Sequence, residues 1–234
     1  MVKLSNMFGY EDIRSLFGLD EPCGWSEEKI ASLKAEYDSL PTALEDYYRL
    51  CAGCEELTQN PARDYLMPAD KVGMKKAEGY YVFFSENQSV SFWGIKLSDM
   101  SQDDPPVYEN YGDNKWYLTG GSLAKVLTAH AYLNAVGGVL EYAPDDGYLE
   151  ADAKQTEKLK SMFSLIETAD SGIYMGAKFF RVNDDTFIAV MPNGDNSVIM
   201  LASASEEGFD SAAEAVYPVL GLEYDEENDD EEYC

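Results

Sequence analysis

Early in the chain, apolar side chains recur every third or fourth position. Ser26 stands where an N-cap belongs, Glu27 and Glu28 suit the positive end of a helix dipole, and Ile30, Leu33 and Tyr37 keep helical spacing. A second helix is predicted from Pro41, whose missing N–H costs nothing in a first turn. It runs through Leu44, Tyr47, Tyr48 and Cys51, with Gly53 placed to end it. The period then changes. Tyr80-Tyr81-Val82-Phe83-Phe84 is a continuous apolar run and predicts a strand covered on both faces. Ser85-Glu86-Asn87-Gln88 reads as a turn, and Val90, Phe92 and Gly94-Ile95 as the returning strand, on which Trp93 faces opposite to Phe92. Asp103-Asp104-Pro105-Pro106 suits neither a helix interior nor a central strand, so it predicts a rigid loop into Val107-Tyr108.

Further along, Ser122 to Val136 is the clearest long helix, with Leu123, Val126, Leu127, His130, Ala131 and Leu133 on one face and Gly137-Gly138 as its stop. Asp152 is placed to cap another helix carrying Leu159, Met162, Phe163 and Ile166. Ile173-Tyr174-Met175, Phe179 to Val182, Thr186 to Met191 and Val198 to Ala202 read as short strands, separated by turn formers such as Asn183-Asp184-Asp185 and Asn193-Gly194-Asp195. A last helix is predicted from Ser205 or Glu206 to about Leu220. From Glu223 the chain is a run of like charges with little to bury, so residues 223–234 are expected to form a disordered acidic tail behind a single domain of residues 1–222. No internal repeat at a solenoid period is found.

Composition narrows the function. The 234 residues carry 44 acidic and 17 basic side chains, a formal net charge of -27, and 45% are hydrophobic, enough for a substantial core. A surface this negative repels nucleic acid and anionic membranes alike, whereas a basic protein partner is attracted at long range. No run reaches the roughly 18 apolar residues of a membrane span. Met1 to Asp12 lacks a basic leader followed by an apolar run, so no secretory signal is expected. Four cysteines in a chain of this length make no dense disulfide framework, and reduced thiols in a cytoplasmic protein are the expectation.

Candidate chemistry is sparse. The C-x-x-C of Cys51 and Cys54 cannot supply four zinc ligands, and places Cys51 on a helix stripe with Cys54 in the turn beyond. The only histidine, His130, lies in an apolar stripe, which favours a hydrogen-bonded core histidine over a ligand or general base. No P-loop, G-x-S-x-G or strand-borne G-x-G-x-x-G is present, and the acidic pairs Asp103-Asp104, Asp145-Asp146 and Asp184-Asp185 lack the ordered spacing of a calcium loop. No catalytic residue, metal ligand or cofactor is assigned. Glu86, Asn87 and Gln88 at a hairpin tip, Trp93 on its second strand, Asp103 and Asp104 in the following loop and Trp116 beyond are the candidate partner-binding residues, as an aromatic anchor ringed by polar groups. A core role for Trp93 and Trp116, with Glu86 fixing the turn, is the competing reading.

In their order these pieces resemble the SUKH superfamily, also described as the Smi/Knr cell-wall-assembly regulator family. The resembling residues are Leu40-Pro41-Thr42-Ala43-Leu44 through Tyr47-Tyr48 to Gly53, then Glu86-Asn87-Gln88, Phe92-Trp93-Gly94-Ile95, Asp103-Asp104-Pro105-Pro106-Val107, Trp116 and Ser122-Leu123. The match is firmest over residues 26–140. The resemblance implies an α+β fold, mainly one antiparallel sheet with helices packed on one side. It marks Gly53, Glu86, Trp93, Asp104, Pro105, Pro106 and Trp116 as family-typical, several with a structural role. It also implies a non-catalytic protein-binding module: an immunity protein neutralising a toxin, which the acidity suggests is basic, as a nuclease with a cationic cleft would be. The alternatives are a regulatory scaffold of the cell-wall-synthesis type and, second, an enzyme of unknown type. The segment between Glu141 and Asp170 departs from the family pattern.

Overall fold

The computed structural model describes residues 8–19, 21, 23–58, 64–86, 88–113 and 115–224. Four helices come first: α1 (Tyr10–Leu16), α2 (Glu27–Glu36), α3 (Thr42–Leu50) and α4 (Glu55–Thr58). A five-stranded meander follows, β1 (Tyr65–Leu66), β2 (Tyr80–Ser85), β3 (Phe92–Lys96), β4 (Pro106–Asn110) and β5 (Tyr117–Ser122), all neighbours antiparallel. After α5 (Leu123–Asn134) the chain builds a second antiparallel sheet from β6 (Leu149–Ala151), β7 (Ser164–Leu165), β8 (Lys178–Arg181), β9 (Thr186–Asn193) and β10 (Asn196–Ser203). Its order is β6-β10-β9-β8-β7, with α6 (Ala153–Met162) between β6 and β7 in sequence and α7 (Glu206–Leu220) last. The α+β class and the antiparallel pairing hold. The single sheet does not, because there are two.

The reason lies in α5. Every residue of it except Lys125 is buried, so it is covered all round, as a helix between two layers must be. His130 stacks on Phe84 of the first sheet at 3.8 Å, whereas Tyr132 meets Phe179 and Phe187 of the second at 6.1 and 5.4 Å. Neighbouring side chains on a strand point to opposite faces, so Phe180, next to Phe179, turns to the other side of that sheet. There it joins Leu159, Ile188, Ile199, Phe209, Ala213 and Val216 in a separate apolar cluster under α6 and α7.

Caps mark the helix starts where the sequence placed them. Ser26 Oγ accepts from Lys29 N at 3.3 Å, Asp152 and Gln155 form a reciprocal capping box, and Ser205 Oγ accepts from Gly208 N at 3.1 Å. The glycine stop after α5 also holds: Gly138 takes φ 133°, closed to other residues, at the end of a wide turn over Ala135–Val139.

Three expectations are corrected. Ile173-Tyr174-Met175 is a turn, not a strand: Gly172, Tyr174, Met175 and Gly176 all have positive φ, and Ile173 O accepts from Ala177 N at 3.2 Å. The thiols are not all apart. Cys23 and Cys54 form a disulfide with Cα atoms 5.5 Å apart, while Cys51 is buried at the end of α3 and takes no part in it. Finally, Tyr224, expected in the acidic tail, is packed against Phe209 and Tyr217 and donates to Asp210; residues 225–234 lie outside the described residues.

The disulfide depends on a close backbone approach. Cys23 N donates to Leu50 O at 3.1 Å and Trp25 N to Tyr48 O at 2.7 Å, satisfying carbonyls left open at the end of α3. A Cβ on Gly24 would lie 2.0 Å from Arg49 O, and one on Gly53 would lie 2.2 Å from Cys23 O. Glycine at both positions is therefore a packing requirement.

Candidate functional site

Most of the candidate partner-binding residues are engaged by their own chain, although only Trp93 is buried among those described. Trp93 is 3% exposed, enclosed by Phe84 and His130, so its assignment as a partner-binding anchor is corrected. The register against β3 shifts between Val82 and Phe84, and β3 is covered on both faces, so both Phe92 and Trp93 are buried. Glu86 ties its own loop, its Oε2 accepting from Gln88 N at 2.9 Å and Val90 N at 3.3 Å. Gln88 is exposed beside it, and Asn87 lies outside the described residues.

Asp103 and Asp104 join two helix starts to the loop before β4. Asp103 accepts from the Thr42 hydroxyl through Oδ1 at 2.6 Å and from Ala43 N through its carbonyl at 2.9 Å. Asp104 Oδ1 accepts from Ala124 N at 2.8 Å, and the Pro105 carbonyl accepts from Leu123 N at 2.9 Å. Both carboxylates thus sit at positive helix ends, where neither Pro41 nor Ser122 supplies a side-chain cap. Pro105 is buried and Pro106 opens β4. Trp116 lies against Tyr80 with ring centroids 4.0 Å apart and donates from Nε1 to Glu78 Oε2 at 3.0 Å. It crosses Gly94, where an added Cβ would come within 3.1 Å of the indole. The motif residues therefore act as joints of the scaffold. They also divide between two ends of the sheet: Phe92 pairs with Asn110, so the loops 86–91 and 111–116 share one end, and 97–105 occupies the other.

The exposed chemistry sits at the first of these ends. Val90, Tyr111, Tyr117 and Leu118 are 54%, 58%, 45% and 60% exposed. The two loops touch, since a Cβ on Gly112 would lie 3.3 Å from Val90 O, and the Tyr111 and Tyr117 rings are 5.8 Å apart. Each phenol is anchored on a carboxylate: Tyr111 donates to Glu109 Oε2 at 3.0 Å, Tyr117 to Asp113 Oδ2 at 2.8 Å. Asn110, fully buried, stiffens the loop by donating to Lys115 O at 2.8 Å and accepting from Gly112 N at 2.9 Å. Burial pushes the Glu109 carboxyl above its ordinary range, with the Tyr111 bond opposing and Asp64 reinforcing. Burial and then the Glu109 charge raise Tyr111 to about 12. The Tyr117 bond holds the Asp113 carboxyl low. Aromatic faces beside fixed carboxylates have the chemistry to accept a guanidinium or ammonium side chain. Tyr111 and Tyr117 were missed in the sequence. The available signal was an aromatic on each side of the Gly112-Asp113 turn, where side chains next to a tight loop leave the sheet for solvent.

A second polar group lies inside the fold. His130, fully buried, shares a 2.5 Å hydrogen bond with the Tyr174 hydroxyl through Nδ1, and burial brings its pKa down to about 3. Tyr174 also donates to Asp64 at 3.4 Å. A neutral imidazole packed between Phe84 and Trp93 is sealed from solvent, as the apolar stripe suggested. Among the described residues no group of three or more His, Cys, Asp or Glu side chains is placed to hold a metal ion, and no helix is long and apolar enough to cross a membrane.

Comparison of the chain with protein-family models, with curated proteins and with solved structures finds no match. The resemblance to the SUKH superfamily rests on the sequence motifs alone.

Proposed function

We propose that this chain is a non-catalytic protein-binding module that neutralises a basic toxin, such as a nuclease with a cationic cleft, and that it does so in the cytoplasm. The observation that carries the reading is the pair Tyr111 and Tyr117, exposed, tied to Glu109 and Asp113, and carried on a chain of net charge -27. A cationic cleft built for phosphate accepts an anionic protein surface in its place, and the aromatic rings add apolar contact that charge alone lacks. The same charge works against nucleic acid or an anionic membrane as the ligand.

Co-expression with the toxin encoded next to its gene tests the proposal. Rescue of growth by the wild-type chain, lost or weakened in a Tyr111→Ala/Tyr117→Ala variant that still folds, supports it. Loss of two aromatic hot-spot residues should weaken binding by about tenfold or more. Killing that persists with the wild-type chain sinks it. A regulatory scaffold of the cell-wall-synthesis type is the second reading. Retention of an endogenous cell-wall complex through the same two tyrosines, with no toxin bound, would favour it. Substrate turnover that ends when a single carboxylate is neutralised would favour an enzyme over both.

A further inference from the structure

Two adjoining hollows open between α1, α5 and the outer strands of the second sheet. One of about 320 Å³ is lined by Ile13, Thr128, Leu165 and others, and one of about 350 Å³ by Leu16, Phe187 and others. Tyr132 and Arg181 line both, so they form one trough with the guanidinium at its waist. Its size suits a small organic molecule.

Two polar side chains, Thr128 and Arg181, line the trough. Thr128, on α5, is 2% exposed and its hydroxyl meets no hydrogen-bond partner. A helical threonine ordinarily bonds the carbonyl one turn back, and a buried hydroxyl left unbonded carries a full desolvation cost. Arg181 lies over the Phe187 ring at 4.9 Å and donates once, to Asp184 O at 3.1 Å. It enters none of the ion pairs found among the described residues, which engage Lys34, Arg49, Lys75, Lys76, Lys160 and Lys178.

The surroundings limit what can bind. Glu167, Asp184 and Asp185 also line the trough, and the Asp185 carboxylate is already held by the Thr186 and Ser205 hydroxyls. These acids repel a multiply charged anion such as phosphate more strongly than a single carboxylate, whose one charge can be met by the one guanidinium and the one hydroxyl. We infer that the trough binds a small monocarboxylate with an apolar body. Its head accepts hydrogen bonds from Arg181 and Thr128, and its body lies along the Leu16, Tyr132 and Phe187 side. The site belongs to the second sheet and stands independently of the proposed partner surface on the first.

Octanoate is a suitable probe, titrated into the full isotope-labelled chain and followed by backbone amide shifts, with octanol and inorganic phosphate as controls. The expected result is a saturable shift at Thr128, Tyr132, Arg181 and Phe187 in the low millimolar range or below, much weaker binding of octanol, and none of phosphate. Arg181→Gln should weaken octanoate by about tenfold or more. Thr128→Val should weaken it several-fold while leaving the melting temperature unchanged or higher, because it removes an unbonded hydroxyl without changing shape. Absence of saturable shifts, equal binding of octanol, shifts confined to other regions, or unchanged affinity in both variants would each overturn the inference.

Discussion

Asp104 sends its carboxylate across twenty positions to the amide of Ala124, so the first turn of the central helix is capped by a loop and not by its own neighbours. Removing a helix N-cap of this kind costs about 1 kcal/mol, with a range up to about 2. Asp104→Ala should therefore lower the unfolding free energy by that amount, seen as a lower urea midpoint with an unchanged slope, and amide exchange at Ala124 should accelerate. Glu109 offers a pH test with the opposite sign from most carboxylates. Its folded pKa is raised above the unfolded value by burial, so between the two values the folded state holds more proton than the unfolded one. Stability then falls as pH rises through that window, and the full penalty is present at neutral pH. Glu109→Gln keeps the acceptor for Tyr111 and should raise the melting temperature at pH 7, with the gain vanishing below about pH 4. An equal gain at both ends of the pH range would assign the effect to packing. At this scale the sequence was partly legible. It identified Glu86, Asp103, Asp104 and Trp116 as unusual, but their roles depend on distant partners, Trp116 on Glu78 and Asp103 on Thr42, which no local pattern encodes.

Among the elements, those with strong periodicity or a clear cap were readable: α2, α3, α6 and α7, the β2–β3 pair and β9 with β10. The short edge strands β1, β6 and β7 were not, because two or three residues carry no period, and β5 was hidden by its glycines, Gly120 and Gly121. One of these has a packing reason: a Cβ on Gly121 would lie 2.4 Å from Ser171 O, so the 171–176 turn packs against this edge. That turn carries Tyr174 and Met175 in left-handed backbone, a cost of about 1 kcal/mol or more for each, offset in part by the bond from Tyr174 to His130. The joint between α3 and the segment before α2 is the testable element. A disulfide between Cys23 and Cys54 closes a 31-residue separation, and in the chain-entropy account a loop of that size stabilises by about 3–4 kcal/mol. The oxidised chain should melt well above the reduced one. Cys23→Ser should melt near the reduced chain and ignore reductant, whereas Cys51→Ser should keep the response. A melting temperature indifferent to reductant in the wild-type chain would mean that the bridge adds nothing in solution, as thiols kept reduced in a cytoplasm would require.

For the molecule as a whole, charge is the property that reaches furthest. A net charge of -27 on 234 residues exceeds what local pairing can neutralise, so the folded chain repels itself, and a partner of opposite sign relieves that repulsion as it docks. These two consequences respond oppositely to salt. Screening shortens the reach of each charge from about 10 Å at 0.1 M ionic strength to about 3 Å at 1 M. The isolated chain should become more stable as sodium chloride is added over this range, seen as a rising melting temperature. Association with a basic partner should slow steeply over the same range, because long-range steering acts on encounter, while dissociation governed by Tyr111 and Tyr117 should change much less. Stopped-flow association at two salt concentrations, with wild type and Tyr117→Ala, separates the contributions: salt moves the on-rate, and the substitution moves the off-rate. An on-rate indifferent to salt would remove charge as the reason this surface finds its partner, and leave the aromatic end of the first sheet to explain recognition without it.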